Sequence, residues 1–156
     1  MNALFSAAKE IGEFMDSCEW EYCVIGGLAV LRWGEPRLTR DIDLSLLTGI
    51  GREESFIQTL LSRFGSRISD ALTFALENRV LLLRTSNGTD ADISLGALDF
   101  EFDMQKRATL FEFAPDCVLP VCSAEDLFIM KAFAARDQDK IDAESIVTRS
   151  GGNLDS

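Results

Sequence analysis

At 156 residues the chain is long enough for one domain with its own core, and a hydrophobic fraction of 47% is that of a folded globule. A net charge of −11, from 15 Lys and Arg against 26 Asp and Glu, argues against general nucleic-acid affinity, which comes from neutralising phosphates. The chain has no histidine, so Ser-His and Cys-His hydrolase chemistry and His-ligated metal sites are excluded.

No apolar run reaches membrane-spanning length. The N-terminus, MNALFSAAKEIGEF, is amphipathic and acidic and does not read as a signal peptide, so the expected location is the cytoplasm. Within it, Leu4, Ala7, Ala8, Ile11, Phe14 and Met15 recur at helical spacing and predict a packing helix over 3–17. EWEYCVI, residues 19–25, is rich in aromatic and β-branched residues and predicts the first strand. It delivers the chain to Gly26-Gly27. Residues 28–33 then predict a short helix, stopped by Gly34 and Pro36. A second strand is expected over 41–47, beside the first, and a turn over 48–51.

Phe56, Ile57, Leu60, Leu61 and Phe64 predict a helix over 53–64, followed by a helical or irregular piece over 69–76. RVLLLRT (79–85), the turn Ser86-Asn87-Gly88-Thr89 and DADISL (90–95) predict a hairpin. A helix or loop excursion over 99–107 and two short strands, 108–113 and 118–121, come next. Pro120 argues for a sheet edge. Ser123 with Asp126 three residues on marks a helix start. Leu127, Met130, Phe133 and Ala134 are expected to face the core. Arg136, Asp137, Asp139 and Asp142 read as a solvated helix face, with helix through Val147. The expectation is a single domain over 1–150 and a disordered tail over 151–156.

Four cysteines, Cys18, Cys23, Cys117 and Cys122, fall in two pairs of equal spacing. Without histidine or a C-x-x-C pair, the expected role is as small buried hydrophobes, with neither a zinc site nor a disulfide. Acid–base work at neutral pH then falls to carboxylates, Lys or Tyr22.

The chemistry concentrates in GGLAVLRWGEPRLTRDID, residues 26–43. Side chains on a strand alternate, so Asp41 and Asp43 should share a face. Two adjacent carboxylates repel, and a hard cation such as Mg²⁺, shared with substrate phosphates, is their natural partner. Gly26-Gly27 lets backbone approach a ligand, and the following helix aims its free N–H groups at an anion. The hairpin should return Asp92 toward Asp41 and Asp43. A third carboxylate is what two-metal transfer needs, to bridge an ion or deprotonate the nucleophile. By the period of two, Asp90 is the alternative to Asp92. The bland reading of each piece is a solvated strand end after an empty Gly-Gly turn; the combination is what points to nucleotidyl or phosphoryl transfer.

GG-x-A followed by G-x-P-R-x-T-R-D-I-D-L resembles the nucleotidyltransferase superfamily with the polymerase-beta-like fold. The branch it is most similar to is the AbiEii-like group, which includes toxins of type IV toxin–antitoxin systems. The resemblance implies an α/β (α+β) fold, a mixed β-sheet bearing the aspartates on one face and helices on the other, with a C-terminal helical segment. It implies a Mg²⁺- or Mn²⁺-dependent enzyme that moves an NMP from an NTP donor to a hydroxyl. Asp41, Asp43 and Asp92 would be the catalytic and metal-holding acids, with Asp92 preferred to Asp90. Gly26, Gly27, Arg37, Thr39, Arg40 and Lys131 would serve the NTP, Lys131 because the family carries a lysine in its SxEDL…K…A…RxxD stretch. The acceptor stays open between RNA or tRNA, a protein and a small molecule, the last because aminoglycoside adenylyltransferases share a similar GG…DxD arrangement. A cognate antitoxin or other partner protein is an expected associate. The rival is a non-catalytic nucleotide- or partner-binding module that keeps the fold.

Overall fold

Alternation along two strands decides which way the sheet faces. Ile42, Leu44 and Leu46 on one strand and Ala91, Ile93 and Leu95 on its neighbour are almost wholly buried, while Asp43 and Asp92 between them are half-exposed. Fully burying a side chain of this size is worth about 1.5–3 kcal/mol. A slip of one residue would bring the aspartates inside, so the same apolar residues that build the core fix where the acids point.

The structure, a computed structural model, describes residues 1–35, 38–133, 146 and 147. The elements run α1 (Ala3–Ser17), β1 (Tyr22–Ile25), α2 (Gly26–Trp33), β2 (Ile42–Leu47), α3 (Glu53–Leu61), β3 (Gly65–Ser66), α4 (Ala71–Asn78), β4 (Val80–Arg84), β5 (Asp90–Gly96), α5 (Asp99–Arg107), β6 (Thr109–Ala114), β7 (Cys117–Val121) and α6 (Ala124–Phe133). The strands form one mixed sheet in the order β3-β4-β5-β2-β1-β7-β6. β2 pairs antiparallel with β1 and parallel with β5, and β1 pairs parallel with β7. The remaining pairs are antiparallel. This is a mixed α/β architecture with flanking helices. Ile146 and Val147 are helical, and Ile146 is fully buried.

α1 lies on the apolar face. The Tyr22 hydroxyl donates to the Gly12 carbonyl at 3.3 Å, and a Cβ at Gly12 would strike Leu119. The aspartate face is not bare, contrary to the expectation of helices on one side only. Cys23 lies on that face opposite Ser45, and its thiol is pushed up first by burial and then by the Asp126 carboxylate of α6. Lys131 of the same helix acts on Asp43.

Several expectations need correction. β6 is the edge strand and β7, which carries Pro120, lies inside it. The missing N–H is tolerated because β7 meets β1 in register only at Val24↔Val121, one residue past the proline. On α6, Leu127 is buried and Met130 partly buried, but Phe133 is 84% exposed. The buried stripe is Ala124, Leu127 and Lys131, since Lys131 lies one turn after Leu127 and takes the inward position. Ala134, Arg136, Asp137, Asp139, Asp142 and the tail 151–156 lie outside the described residues. Tyr22 is also unsuited to acid–base work. Burial, with Asp16 nearby, raises its phenol well above the ordinary value, and its hydroxyl faces α1. Cys23, Cys117 and Cys122 are buried, as small hydrophobes would be, and Cys18 is half-exposed.

Candidate active site

β1 ends at Ile25, and the chain turns at once into α2. Gly26 makes that turn with φ +63, a left-handed conformation that suits glycine. The turn sets Gly26 against β2. A Cβ there would lie 2.7 Å from both Cβ and Cγ of Asp43. The Gly27 N–H, in the first turn of α2, donates to the Asp43 carboxylate. Ile25 supplies no side-chain cap to α2, so Asp43 takes the place of one and its charge meets the positive helix end. The far end of α2 is pinned by Trp33, whose indole N–H donates to the Cys122 carbonyl at 2.8 Å. The Arg32 guanidinium stacks over the Trp33 ring.

Asp43 stands in a row of residues that crosses the sheet. It is opposite Ile25 of β1 on one side and opposite Asp92 of β5 on the other. Asp92 in turn faces Leu82 of β4. Burial pushes the Asp43 carboxyl up to about 6, and the neighbouring Asp92 adds to the rise. Lys131 and the Gly27 N–H oppose it, and Asp41 contributes a further, smaller push upward. Asp43 is therefore an anion held at a cost, with partial compensation from one lysine and one backbone donor.

The expected acids are thus distributed unevenly. Asp43 and Asp92 are brought together, as hairpin return and strand alternation require. Asp41 stands one residue before β2, exposed, near enough to act on Asp43 by charge. Among the described residues no group of three His, Cys, Asp or Glu side chains stands close enough to hold a metal ion. Asp92 is instead engaged by Arg67, whose Nη2 donates to Asp92 Oδ1. Arg67 Nη1 lies 3.4 Å from Asp90 Oδ2, and Arg84 Nε reaches Asp90 Oδ1 at 3.3 Å. So Asp90 shares a face with Asp92 but lies further from Asp43 along the strand and pairs with two arginines.

Lys131 is only 7% exposed and is drawn into the site from α6. That helix is fastened at its start. Ser123 Oγ accepts from the Asp126 N–H at 3.1 Å, and the nearly buried Asp126 carboxylate accepts from both Nε and Nη2 of Arg107 at 2.8 Å. Thr39 is half-buried and Arg40 exposed in the segment before β2; Arg37 lies outside the described residues. Nothing in the sequence around Arg67 singles it out. It follows a two-residue strand with no periodicity of its own, and only the register of β3 on β4 puts it in line with Asp92.

A family model described as "Nucleotidyl transferase AbiEii toxin, Type IV TA system" matches residues 22–143. No curated protein sequence matches the chain. Several solved structures share its fold, three of them as follows. The antigenic nucleotidyltransferase-like protein from Paracoccidioides brasiliensis is 16% identical with a TM-score of 0.63, over 92% of this chain and 75% of that one. The lincosamide antibiotic adenylyltransferase LnuA, lincomycin-bound, is 16% identical with a TM-score of 0.63, over 94% of this chain and 98% of that one. The antibiotic-resistance factor ANT(2'')-Ia is 13% identical with a TM-score of 0.54, over 92% and 81%. At such identities the likeness is one of fold.

Proposed function

The chain belongs to the AbiEii nucleotidyltransferase family, and on that premise we propose that it transfers an NMP from an NTP to an acceptor hydroxyl, as the toxin-like component of a toxin–antitoxin or phage-defence system. The observation that carries this reading is the pairing of Asp43 with Asp92 in register, directly under the glycine turn and first N–H groups of α2. An acid pair beside a helix N-terminus suits a nucleoside triphosphate with its cation.

The donor set fits a divalent ion. Asp43 is a carboxylate kept half-buried beside a second negative charge, and an ion shared between Asp43 and Asp92 would remove that cost. Asp43 and Asp92 would hold Mg²⁺ or Mn²⁺, and Asp41, exposed one residue before β2, would have to move in to join them. Such an ion, when bound, supplies Lewis-acid polarisation of the phosphoryl oxygens and neutralises charge there. Asp92 would otherwise accept the proton of the attacking hydroxyl, as a carboxylate within reach of the nucleophile does. Gly26, Gly27 and the start of α2 would take the triphosphate. Lys131, Arg37 and Arg40 would neutralise charge as pyrophosphate leaves, and Thr39 would bond a phosphate or fix the loop.

A small-molecule acceptor is the second reading, favoured by the match in extent to the lincomycin-bound adenylyltransferase, 98% of whose chain is covered. A net charge of −11 also suits a cationic drug better than RNA.

The test is thermal unfolding with Mn²⁺ and each NTP in turn, then transfer of α-labelled nucleotide to tRNA, to protein and to lincosamide or aminoglycoside acceptors. A metal-dependent rise in midpoint with one or more NTPs, lost in Asp43→Asn, is expected, since a ligand that binds only the folded chain stabilises it by mass action. Stabilisation without transfer to any acceptor would favour the non-catalytic binding module. No stabilisation by any NTP would overturn the reading.

A further inference from the structure

The row across the sheet does not stop at Leu82. β3 pairs with β4 through Gly65↔Arg84 and Ser66↔Leu83, so the next residue, Arg67, falls opposite Leu82, and its N–H donates to the Leu82 carbonyl at 3.3 Å. Arg67, just past the end of β3, therefore stands in line with Leu82, Asp92, Asp43 and Ile25 on four neighbouring strands. Residues in such a line share a face. The guanidinium reaches over Leu82 to Asp92, the acid next to Asp43.

The seat of that guanidinium is incomplete. Nη2 is bonded to Asp92 Oδ1 and Nη1 is 3.4 Å from Asp90 Oδ2, but Nε is buried with no hydrogen-bond partner among the described residues. Arginine binds a carboxylate best through two parallel N–H groups, as Arg107 binds Asp126. Arg67 instead splits its two ends between two carboxylates. It has a second anion within reach, so it can leave Asp92 without stranding its charge.

We propose that Arg67 is a built-in counter-cation that occupies Asp92 until a divalent ion loads, and that loading shifts the guanidinium off Asp92 toward Asp90. This rests on the reading of Asp43 and Asp92 as the metal-holding pair. A guanidinium on one oxygen of Asp92 and a divalent ion on the same carboxylate are like charges in a half-buried setting, and they repel. Arg67 is thus a positioning residue. It keeps the acid pair tolerable while the site lacks its cation, and it weakens affinity for the bare ion. The ion then enters most readily with an anionic triphosphate, which offsets the added charge.

The experiment uses the full chain and the metal alone. Mn²⁺ binding is measured by electron paramagnetic resonance for the wild type, Arg67→Gln, Arg67→Lys and Asp43→Asn, without nucleotide. Arg67→Gln should bind Mn²⁺ about tenfold more tightly, a change of about 1.4 kcal/mol, whereas damage to the fold would weaken binding. Arg67→Lys keeps the charge and should stay close to the wild type. Asp43→Asn should lose the site.

Should Arg67→Gln fold poorly, the wild type still decides the matter. Mg²⁺ is titrated while the side-chain carboxyl ¹³C signals of Asp43 and Asp92 and the ¹⁵Nε signal of Arg67 are followed, the last assigned with Arg67→Lys. All three should move together to one saturation point. Carboxyl signals that saturate while Arg67 stays still, or Arg67→Gln binding Mn²⁺ no more tightly than the wild type, would overturn the role of Arg67 and leave the metal pair standing. Carboxyl signals indifferent to Mg²⁺, or Mn²⁺ binding unchanged in Asp43→Asn, would overturn both.

Discussion

Gly26 and Asp43 leave no space between them: a Cβ at Gly26 would lie 2.7 Å from Asp43 Cγ, closer than carbon atoms pack. The contact joins the turn after β1 to the start of β2, and it puts the carboxylate against the first turn of α2. The glycine and the acid are one device, although 16 residues separate them in the chain.

Gly26→Ala tests that device twice over. Alanine at φ +63 is strained, and its methyl would push Asp43 aside. We expect a loss of about 1–3 kcal/mol in urea unfolding, the usual cost of such strain. We also expect the Mn²⁺ and NTP stabilisation to disappear. An alanine variant as stable as the wild type, with its nucleotide response intact, would show that the close approach does not matter.

Asp43→Asn addresses the charge without changing the shape. The Asp43 carboxyl is raised from 3.8 to about 6 in the folded chain. Below about pH 4 it is protonated in folded and unfolded chains alike and costs nothing. Between about pH 4 and 6 the folded chain holds the extra proton, so stability falls as pH rises through this window and then levels off. The wild type should lose about 1–3 kcal/mol relative to Asp43→Asn across it, at about 1.4 kcal/mol per pKa unit. Urea unfolding at pH 4, 5.5 and 7 on both proteins checks this. The asparagine variant should be at least as stable at pH 7 while having lost nucleotide transfer; a parallel pair of stability curves would remove the strain from Asp43.

Much of this was open to reading from residue order alone. The Gly-Gly turn, the alternation in DIDLSLL and the Asn-Gly turn before DADISL are local signals, and together they put Asp43 and Asp92 on adjoining segments. The parallel pairing of β2 with β5 is not local, because it passes through four intervening elements, and no run of residues encodes it. Arg67 was hidden for the same reason. A two-residue strand has no periodicity, and its register on β4 exists only once the sheet is assembled. Lys131 was visible as a lone charge in an apolar helix, but its position on the buried stripe with Leu127 follows from how α6 lies on the sheet. Phe133 reads as a core residue because it is apolar, and α6 turns it outward.

The Arg107–Asp126 pair predicts an asymmetry. Asp126 is 2% exposed whereas the Arg107 side chain is 49% exposed. Arg107→Ala strands a buried carboxylate with Ser123 as its remaining side-chain partner among the described residues. It should cost about 3 kcal/mol, the lower end for breaking a buried pair. Asp126→Asn leaves an arginine that reaches water and keeps an oxygen for Ser123, so it should cost about 1 kcal/mol. Chemical unfolding of the two variants orders them; equal losses would mean that burial of the acid is not what the arginine offsets.

Lys131 is the last link between α6 and the acid pair. Its ammonium holds the Asp43 carboxyl down against burial and against Asp92. Lys131→Met keeps the volume and removes the charge, so the Asp43 carboxyl should move further up from about 6, while Lys131→Arg should leave it nearly in place. A ¹³C titration of the aspartate carboxyls reads this directly. The same loss of charge should weaken stabilisation by NTP with Mn²⁺, because a cation that meets the phosphates has gone. The two readouts separate the possible roles of the lysine. A carboxyl that moves up with NTP stabilisation unchanged would make Lys131 a partner of Asp43 alone. Movement in both would mean that one buried ammonium serves the acid in the free protein and the triphosphate in the complex.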